Sequence, residues 1–376
     1  MTTILMLISI VYLILIGYFI YGWNRLPIFK LQYLPPQIQF SVIIPFRNEE
    51  KNINELLYSL SKLNYPNSLF EILLIDDASE DRSKDICLEF QRKNPELQID
   101  ILTNKRRSNS PKKDAILTAI NLSSYDHIIT TDADCEVPIN WLQAFNEKLI
   151  TTKASLIAGP VGFPGTIPTS IVAIFEEIDF MSLQAAGAAA FGNKKAFMCN
   201  AANLCYEKTA FIEVEGFTGN DHISSGDDVF LLQKLQERNF AVAYLRSPEA
   251  EILTNYQQNF SSLISQRIRW AAKSSAYTSN FSKLTGLIVL LMNLFLCITV
   301  VLCFLSNISY KLVIISFLMK FYIDLILLIK WNFNFGKLNI LKHYLWCSLL
   351  YPFFTSYIAI LSLFSGYEWK GRKFIK

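Results

Sequence analysis

Three pairs of carboxylates stand where short apolar runs give out. They are Asp76-Asp77 after residues 70–75, Asp132-Ala133-Asp134 after residues 127–131, and Asp227-Asp228 before Val229-Phe230-Leu231-Leu232. Two acids one residue apart can share a hard divalent cation, Mg²⁺ or Mn²⁺. Such a cation usually keeps one or two protein carboxylates and takes its other oxygens from water and substrate phosphates. A carboxylate clamped on a cation is a poor base, so a reaction that also removes a proton needs a separate carboxylate as base. Asp228 is the leading candidate. Further on, Gln266, Arg269, Trp270 and Lys273 recur at i, i+3, i+4 and i+7 and share one face of a helix. The planar fork of Arg269 suits phosphate oxygens better than a lysine would. These residue types fit a site for a divalent cation and substrate phosphates. Each also has a plainer reading. Asp-x-Asp often only caps a helix, Asp76-Asp77 before Ala78-Ser79 is also a polar turn, and Ser225-x-x-Asp228 has the spacing of a capping box. Trp270 is a type that anchors helices at a bilayer surface.

The elements that must position these residues alternate in an α/β pattern. Residues 40–45 read as a first strand, followed by a helix from Asn48, as N-cap, to about residue 63. Strands follow at 70–75, 97–102 and 127–131, with helices at 81–93, 112–121 and from Pro138 onward. Three strands thus end in polar residues, Arg47-Asn48-Glu49, Asp76-Asp77 and Asp132-Ala133-Asp134, and a parallel sheet would bring those ends to its carboxyl edge, where ligands collect. The second half is less regular. It reads as a strand at 154–163, an Ala-rich helix at 168–191, a flexible 192–195, a strand at 198–206 carrying Asn200 and Asn203, and a final strand at 241–245. Asn200, Asn203 and His222 are weaker candidates for lining an acceptor site. Residues 260–282 read as one amphipathic helix, with Phe260, Leu263, Ile264, Ile268 and Ala271 as its apolar stripe.

The 376 residues are 52% hydrophobic and 18% charged, and the missing charge is localised. Residues 1–24, 284–310 and 344–367 carry no Asp, Glu, Lys or Arg, and each block is long enough to span a bilayer core. The first lacks the basic start and small-residue cleavage site of a signal peptide, so it reads as an uncleaved anchor. The expected organisation is an anchor at 1–24, a catalytic domain at 38–255, an interfacial helix at 256–282, spans within 284–364 and a basic tail at 365–376. The middle span, 312–329, carries Lys320 and Asp324, read as a packing pair within the membrane. Arg25 and Lys30 place the flank after the anchor in the cytoplasm, whereas four spans leave Lys370, Arg372, Lys373 and Lys376 outside, against the same rule. A net charge of +3 argues against nucleic acid as the main partner. Seven cysteines without a Cys-x-x-Cys pair argue against a zinc site or a disulfide framework.

Several of these residues fall in the order of one family. Pro45-Phe46-Arg47-Asn48-Glu49, Asp76-Asp77, Lys112 three residues before Ala115, Asp132-Ala133-Asp134, Gly226-Asp227-Asp228 and Gln266-Arg267-Ile268-Arg269-Trp270 together resemble glycosyltransferase family 2, the membrane-bound inverting nucleotide-sugar transferases. The resemblance covers roughly residues 38–275. It implies a Rossmann-like, GT-A-type domain with a mainly parallel sheet, flanked by N- and C-terminal transmembrane helices. It also implies that Asp77 contacts the base, typically uracil, in a pocket shaped by Pro45 and Glu49. Asp132 and Asp134 would contact the ribose and hold the metal, Lys112 the phosphates, and Gln266, Arg269 and Trp270 the diphosphate and the acceptor side. Asp228 would deprotonate the acceptor. The sequence departs from the pattern in having Asp227-Asp228 where many relatives have Glu-Asp, and in Lys112 following proline rather than glycine.

The leading expectation is transfer of one sugar from a UDP-sugar to a lipid or lipid-linked acceptor at the cytoplasmic face of a cell membrane. The end of the chain, Trp369-Lys370-Gly371-Arg372, is similar to the tail of ceramide-type lipid glucosyltransferases. A processive polysaccharide synthase shares the Gln-x-x-Arg-Trp pattern, although four spans are few to line a channel. A catalytically inactive membrane scaffold or sugar-binding protein is the alternative of another class.

Overall fold

The computed structural model describes residues 2–165, 168–305, 309–364, 367–369 and 372–374. Lys370 and Gly371 of the tail resemblance, and Lys376, lie outside them. The chain divides into two units, one built from Pro27–Pro164 and Met198–Asn255, the other from Met1–Leu26, Gly165–Phe197 and Tyr256–Lys376.

The first unit is an α/β sandwich. Its strands are β1 (Phe40–Phe46), β2 (Phe70–Asp76), β3 (Ile99–Thr103), β4 (His127–Thr130), β5 (Cys135–Glu136), β6 (Leu156–Ala158), β7 (Val161–Gly162), β8 (Leu204–Glu207), β9 (Val242–Tyr244) and β10 (Ile252–Thr254). The main sheet runs β3-β2-β1-β4-β8-β6-β9, and β5-β10-β7 form a small second sheet. Strands β1 to β4 are parallel, with Val42 level with both Ile72 and Ile129, while β8 runs antiparallel to β4 and to β6. β2 is buried along its whole length, which is why Phe-Glu-Ile-Leu-Leu-Ile-Asp reads as a nearly unbroken apolar run. Its one interior acid, Glu71, accepts from Ser41 Oγ at 2.5 Å and from Ser124 N at 2.6 Å.

Five local readings need correction. Asn48 is not an N-cap: it has φ of 52°, outside the conformation a cap requires, and the helix begins only at Ile53. Its side chain instead accepts from Glu80 N at 2.8 Å. The helix expected from Pro138 runs Trp141–Thr152. The strand expected over 154–163 is two strands in different sheets, because Pro160 has no N–H to continue a ladder. The strand expected over 198–206 is instead Leu204–Glu207, since Asn200 caps a 3₁₀ turn at Ala201–Asn203. β9 is not the last strand, because β10 follows it.

The segment before β1 is strapped down. Gln32 N and Leu34 N donate to Glu147 at 2.8 and 3.0 Å, and Gln37 N and Ile38 N to Asn146 Oδ1 at 2.9 and 3.1 Å. Both acceptors are buried on the Trp141–Thr152 helix.

The second unit is helical: Thr2–Arg25, Ile171–Gly192, Phe260–Ala272, Asn280–Phe304, Tyr310–Phe335 and Tyr344–Phe364, with a short hairpin of Tyr367–Trp369 and Arg372–Phe374. Four of its helices, taken as Thr3–Arg25, Asn280–Phe304, Tyr310–Phe335 and Leu338–Phe364, are long and apolar enough to cross a membrane. The first crosses the Ile171–Gly192 helix through two glycines. A Cβ on Gly22 would lie 2.2 Å from Ala189 O, and one on Gly192 2.0 Å from Gly22 O. Lys320 bonds Asp324 at 2.5 Å, and Tyr12 donates its hydroxyl to the same carboxylate at 2.8 Å, so the pair within this span is mutually satisfied. The amphipathic helix is shorter than its pattern. It ends at Ala272, a 3₁₀ turn follows, and Ser279 caps the next helix through Ser282 N.

Candidate active site

The strand ends carry the first part of the site. Phe46 and Asp76 are in register at the ends of β1 and β2, and Arg47 crosses to donate to Asp77 O at 2.9 Å and to Ala78 O. Pro45 is half-buried near the end of β1. Glu49 is buried just beyond it and accepts from Asn52 Nδ2 at 2.8 Å. Asp77 is 5% exposed and already engaged. Arg106 grips it with two parallel bonds, Nε to Oδ1 at 2.8 Å and Nη2 to Oδ2 at 3.1 Å, and Asn104 Nδ2 donates to Oδ1 at 2.7 Å. Sequence reasoning passed over both residues, although Asn104-Lys105-Arg106-Arg107 is a basic run at the end of β3, the same kind of position as the other strand ends.

From Asp77 a bonded path continues through the unit. Asn104 Nδ2 also donates to Pro111 O at 3.0 Å, and Pro111 opens the helix Pro111–Leu122, where proline costs no hydrogen bond. The next residue, Lys112, places its ammonium 2.6 Å from Asp132 Oδ1 and 3.4 Å from Asp227 Oδ2. Burial alone would lower the Lys112 pKa, but Asp132, Asp227 and Asp228 outweigh it and raise it above the usual lysine value. Asp228 lies beside this cation in the first turn of Asp227–Glu237, where the helix dipole favours negative charge. Its Oδ1 accepts from Val229 N at 2.7 Å and its Oδ2 from Ala201 N at 3.3 Å. Thr130, the last residue of β4, holds Ala201 through a 2.6 Å bond to its carbonyl. The helix N-cap is Gly226, with φ of 81° and no side-chain cap, so the capping-box reading of Ser225 does not hold.

Asp132 and Asp134 flank the turn after β4, and the Cys135 thiol, pushed up by burial and by both acids, lies 3.9 Å from Asp134. Among the described residues no group of three or more His, Cys, Asp or Glu is poised to hold a metal. Two carboxylates suffice only if phosphate and water supply the remaining oxygens. Asp132 meets that condition, because its side chain is 35% exposed and already faces a cation. The donor set therefore fits a cation shared with a diphosphate rather than a closed structural ion. Thr131 Oγ1 and Asn104 Oδ1 are buried in this region without a hydrogen-bond partner.

The weaker acceptor-site candidates divide. Asn203 is fully buried and serves the fold, accepting from Trp141 Nε1 at 2.9 Å and donating to Pro160 O and Ala250 O at 2.7 Å each. Asn200 spends its side chain on Ala202 N. His222 is exposed beside Asp221.

Gln266, Arg269 and Trp270 lie in the helical unit, half-buried on Phe260–Ala272. The buried arginine there is Arg267. Its Nε meets Asp179 Oδ2 at 2.6 Å, with both side chains 6% exposed. The same guanidinium donates to Gln266 Oε1 and lies 4.2 Å from the centre of the Trp270 ring, which also packs on Phe180. Next to Asp179, Glu176 accepts from Gln257 N at 2.7 Å and Glu177 from the Tyr256 hydroxyl at 2.8 Å. Burial pushes Glu176 up to about 7, against the lowering effects of Gln257 N and Arg267.

Comparison with known proteins bears on both units. The chain is 26% identical over 204 residues to the glycosyltransferase AglE of Haloferax volcanii, covering 54% of this chain and 63% of that protein. It is 24% identical over 257 residues to a poly-β-1,6-N-acetyl-D-glucosamine synthase of Staphylococcus epidermidis, covering 66% and 57%. It is 35% identical over 103 residues to an undecaprenyl-phosphate 4-deoxy-4-formamido-L-arabinose transferase of Edwardsiella ictaluri, covering 27% and 31%. These matches span less than two thirds of each relative. The mannosyltransferase PcManGT of Pyrobaculum calidifontis, solved with GDP-Man and Mn²⁺, superposes with a TM-score of 0.55 at 16% identity over 96% of this chain and 99% of that one. The two share the GT-A-type fold. Two family profiles match, Glycosyl transferase family 2 over residues 41–188 and Glycosyl transferase family group 2 over 127–365. The second alone covers more than half of the sequence, and the chain belongs to glycosyl transferase family 2.

Proposed function

We propose that the protein is an inverting, metal-dependent glycosyltransferase of the membrane, moving a sugar from a UDP-sugar to a lipid or lipid-linked acceptor at the cytoplasmic face. The observation that carries the reading is the bonded path from Asp77 through Asn104, Pro111 and Lys112 to Asp132 and Asp227, with Asp228 beside it. Asp77 takes the base, between Pro45 and Glu49. Asp132 and Asp134 would hold Mg²⁺ or Mn²⁺, which when bound would supply Lewis-acid stabilisation of leaving-group charge. Lys112 exchanges a carboxylate for phosphate oxygens, and Gln266, Arg269 and Trp270 complete the diphosphate clamp and the acceptor side. Asp228, oriented by two backbone amides, takes the acceptor proton as attack proceeds opposite the leaving group. PcManGT, of the same fold, was solved with Mn²⁺ and a guanosine donor. The arabinose transferase relative carries undecaprenyl phosphate in its name, and four apolar helices suit such a setting. Processive synthesis is the second reading, favoured by the 24% identity to the polysaccharide synthase over 66% of this chain.

The test is turnover of a panel of nucleotide sugars by the purified chain in detergent, with Mg²⁺ or Mn²⁺ and polyprenyl phosphate or glycolipid acceptors. The expected result is one glycosylated lipid, formed with UDP-sugars and lost on chelation. A ladder of products would favour the processive reading. No turnover of any donor would favour an inactive scaffold.

A further inference from the structure

The two lysines that open the Pro111–Leu122 helix face opposite tasks. Lys112 reaches Asp132 and Asp227, whereas Lys113 is 1% exposed and turns toward the segment that leads into the acidic pair. Its ammonium donates to Asn220 O at 2.6 Å, Asn220 Oδ1 at 2.9 Å and Ile223 O at 3.0 Å. It also lies 5.8 Å from the Phe217 ring centre and 5.0 Å from that of Phe230. These contacts bracket Asp227-Asp228 in sequence, from Phe217 ahead of the pair to Phe230 on the helix that carries it. Within the segment, structure is local: Asn220 N bonds Phe217 O, Ile223 N bonds Asn220 O, and Gly219 and Gly226 take φ of 83° and 81°. A buried ammonium is costly unless its protons are taken up, and three oxygens with two aromatic faces do so here.

We propose that Lys113 is a positioning residue for Asp228, fastening residues 217–226 to the helix that presents Lys112. Adjacent lysines then set the spacing between the donor-phosphate side of the site and its base. The inference rests on the proposed role of Asp228, and hydrogen exchange tests it separately from activity. Amide exchange across 217–226 and steady-state kinetics are measured on the full chain in detergent. Lys113→Met is expected to speed exchange in that segment at least tenfold and lower kcat at least tenfold, with the donor KM within threefold. Lys112→Met is expected to raise the donor KM and leave exchange in the segment unchanged. Asn220→Ala, which removes one of the three acceptors, is expected to move exchange and kcat in the same direction by a smaller factor, and it decides the matter if Lys113→Met does not fold. Wild-type exchange or wild-type kcat in both Lys113→Met and Asn220→Ala overturns the proposal. If the wild type turns over no donor, the proposed function fails, while exchange still shows whether Lys113 fastens the segment.

Discussion

Two arginine–aspartate pairs invite comparison, Arg106 with Asp77 in the sheet unit and Arg267 with Asp179 in the helical unit. The Arg106 side chain is 43% exposed and grips an acid at a strand end. In the second pair both partners are 6% exposed and the guanidinium is also spent on Gln266 and Trp270. Water reaches Arg106 in the first pair but not Asp77, which keeps a bond from Asn104 if the arginine moves away. The second has no such substitute, because breaking a buried pair strands a charge in a poor dielectric. The first pair thus joins a buried acid to a cation with room to move, and the second pair fixes geometry.

This contrast can be broken or sharpened by substitution. The largest effect is expected at the proposed base: Asp228→Asn should lower kcat by about 10²–10⁴ with little change in unfolding midpoint, read by donor turnover and thermal unfolding. Next, Arg267→Met should cost about 3–5 kcal/mol, read as a large fall in the thermal midpoint in detergent. Arg106→Met leaves the buried Asp77 with its Asn104 bond, so it should cost less, about 1–3 kcal/mol, and raise the donor KM. Equal stability losses in the two would erase the distinction. The smallest effect concerns pH. In the folded state Glu176 keeps its proton up to about 7, above its ordinary value of 4.5, so the folded state binds more protons between those values. The contribution of Glu176 to stability is then greatest below 4.5 and is lost as pH rises through that window. Glu176→Gln keeps an acceptor for Gln257 N and should become the more stable protein as pH rises, by no more than about 3 kcal/mol above pH 7. Parallel midpoint-versus-pH curves would refute a buried, late-titrating Glu176.

The acids at the strand ends were legible because a short, nearly unbroken apolar run and a following carboxylate are both local signals. Asp132-Ala133-Asp134 needs nothing more. Which arginine of Gln266-Arg267-Ile268-Arg269-Trp270 is buried was not legible, because Asp179 lies 88 positions away and only packing brings it close. Lys113 escaped for a similar reason: its partners are mainly backbone carbonyls of a distant segment, and carbonyls carry no sequence signature. Asn48 misled because its type suits both a helix cap and a left-handed turn, and contacts with Ser79 and Glu80 select the turn.

The strap ahead of β1 bears on how the chain is made. Gln37 N waits for an acceptor 109 residues downstream, on Asn146. At ribosomal speeds that is a delay of roughly 5–20 s after the first apolar helix has emerged. During that interval residues 32–38 lack their final acceptors. Closure of the strap would then mark the moment when the first five strands and the Trp141–Thr152 helix have all been synthesised.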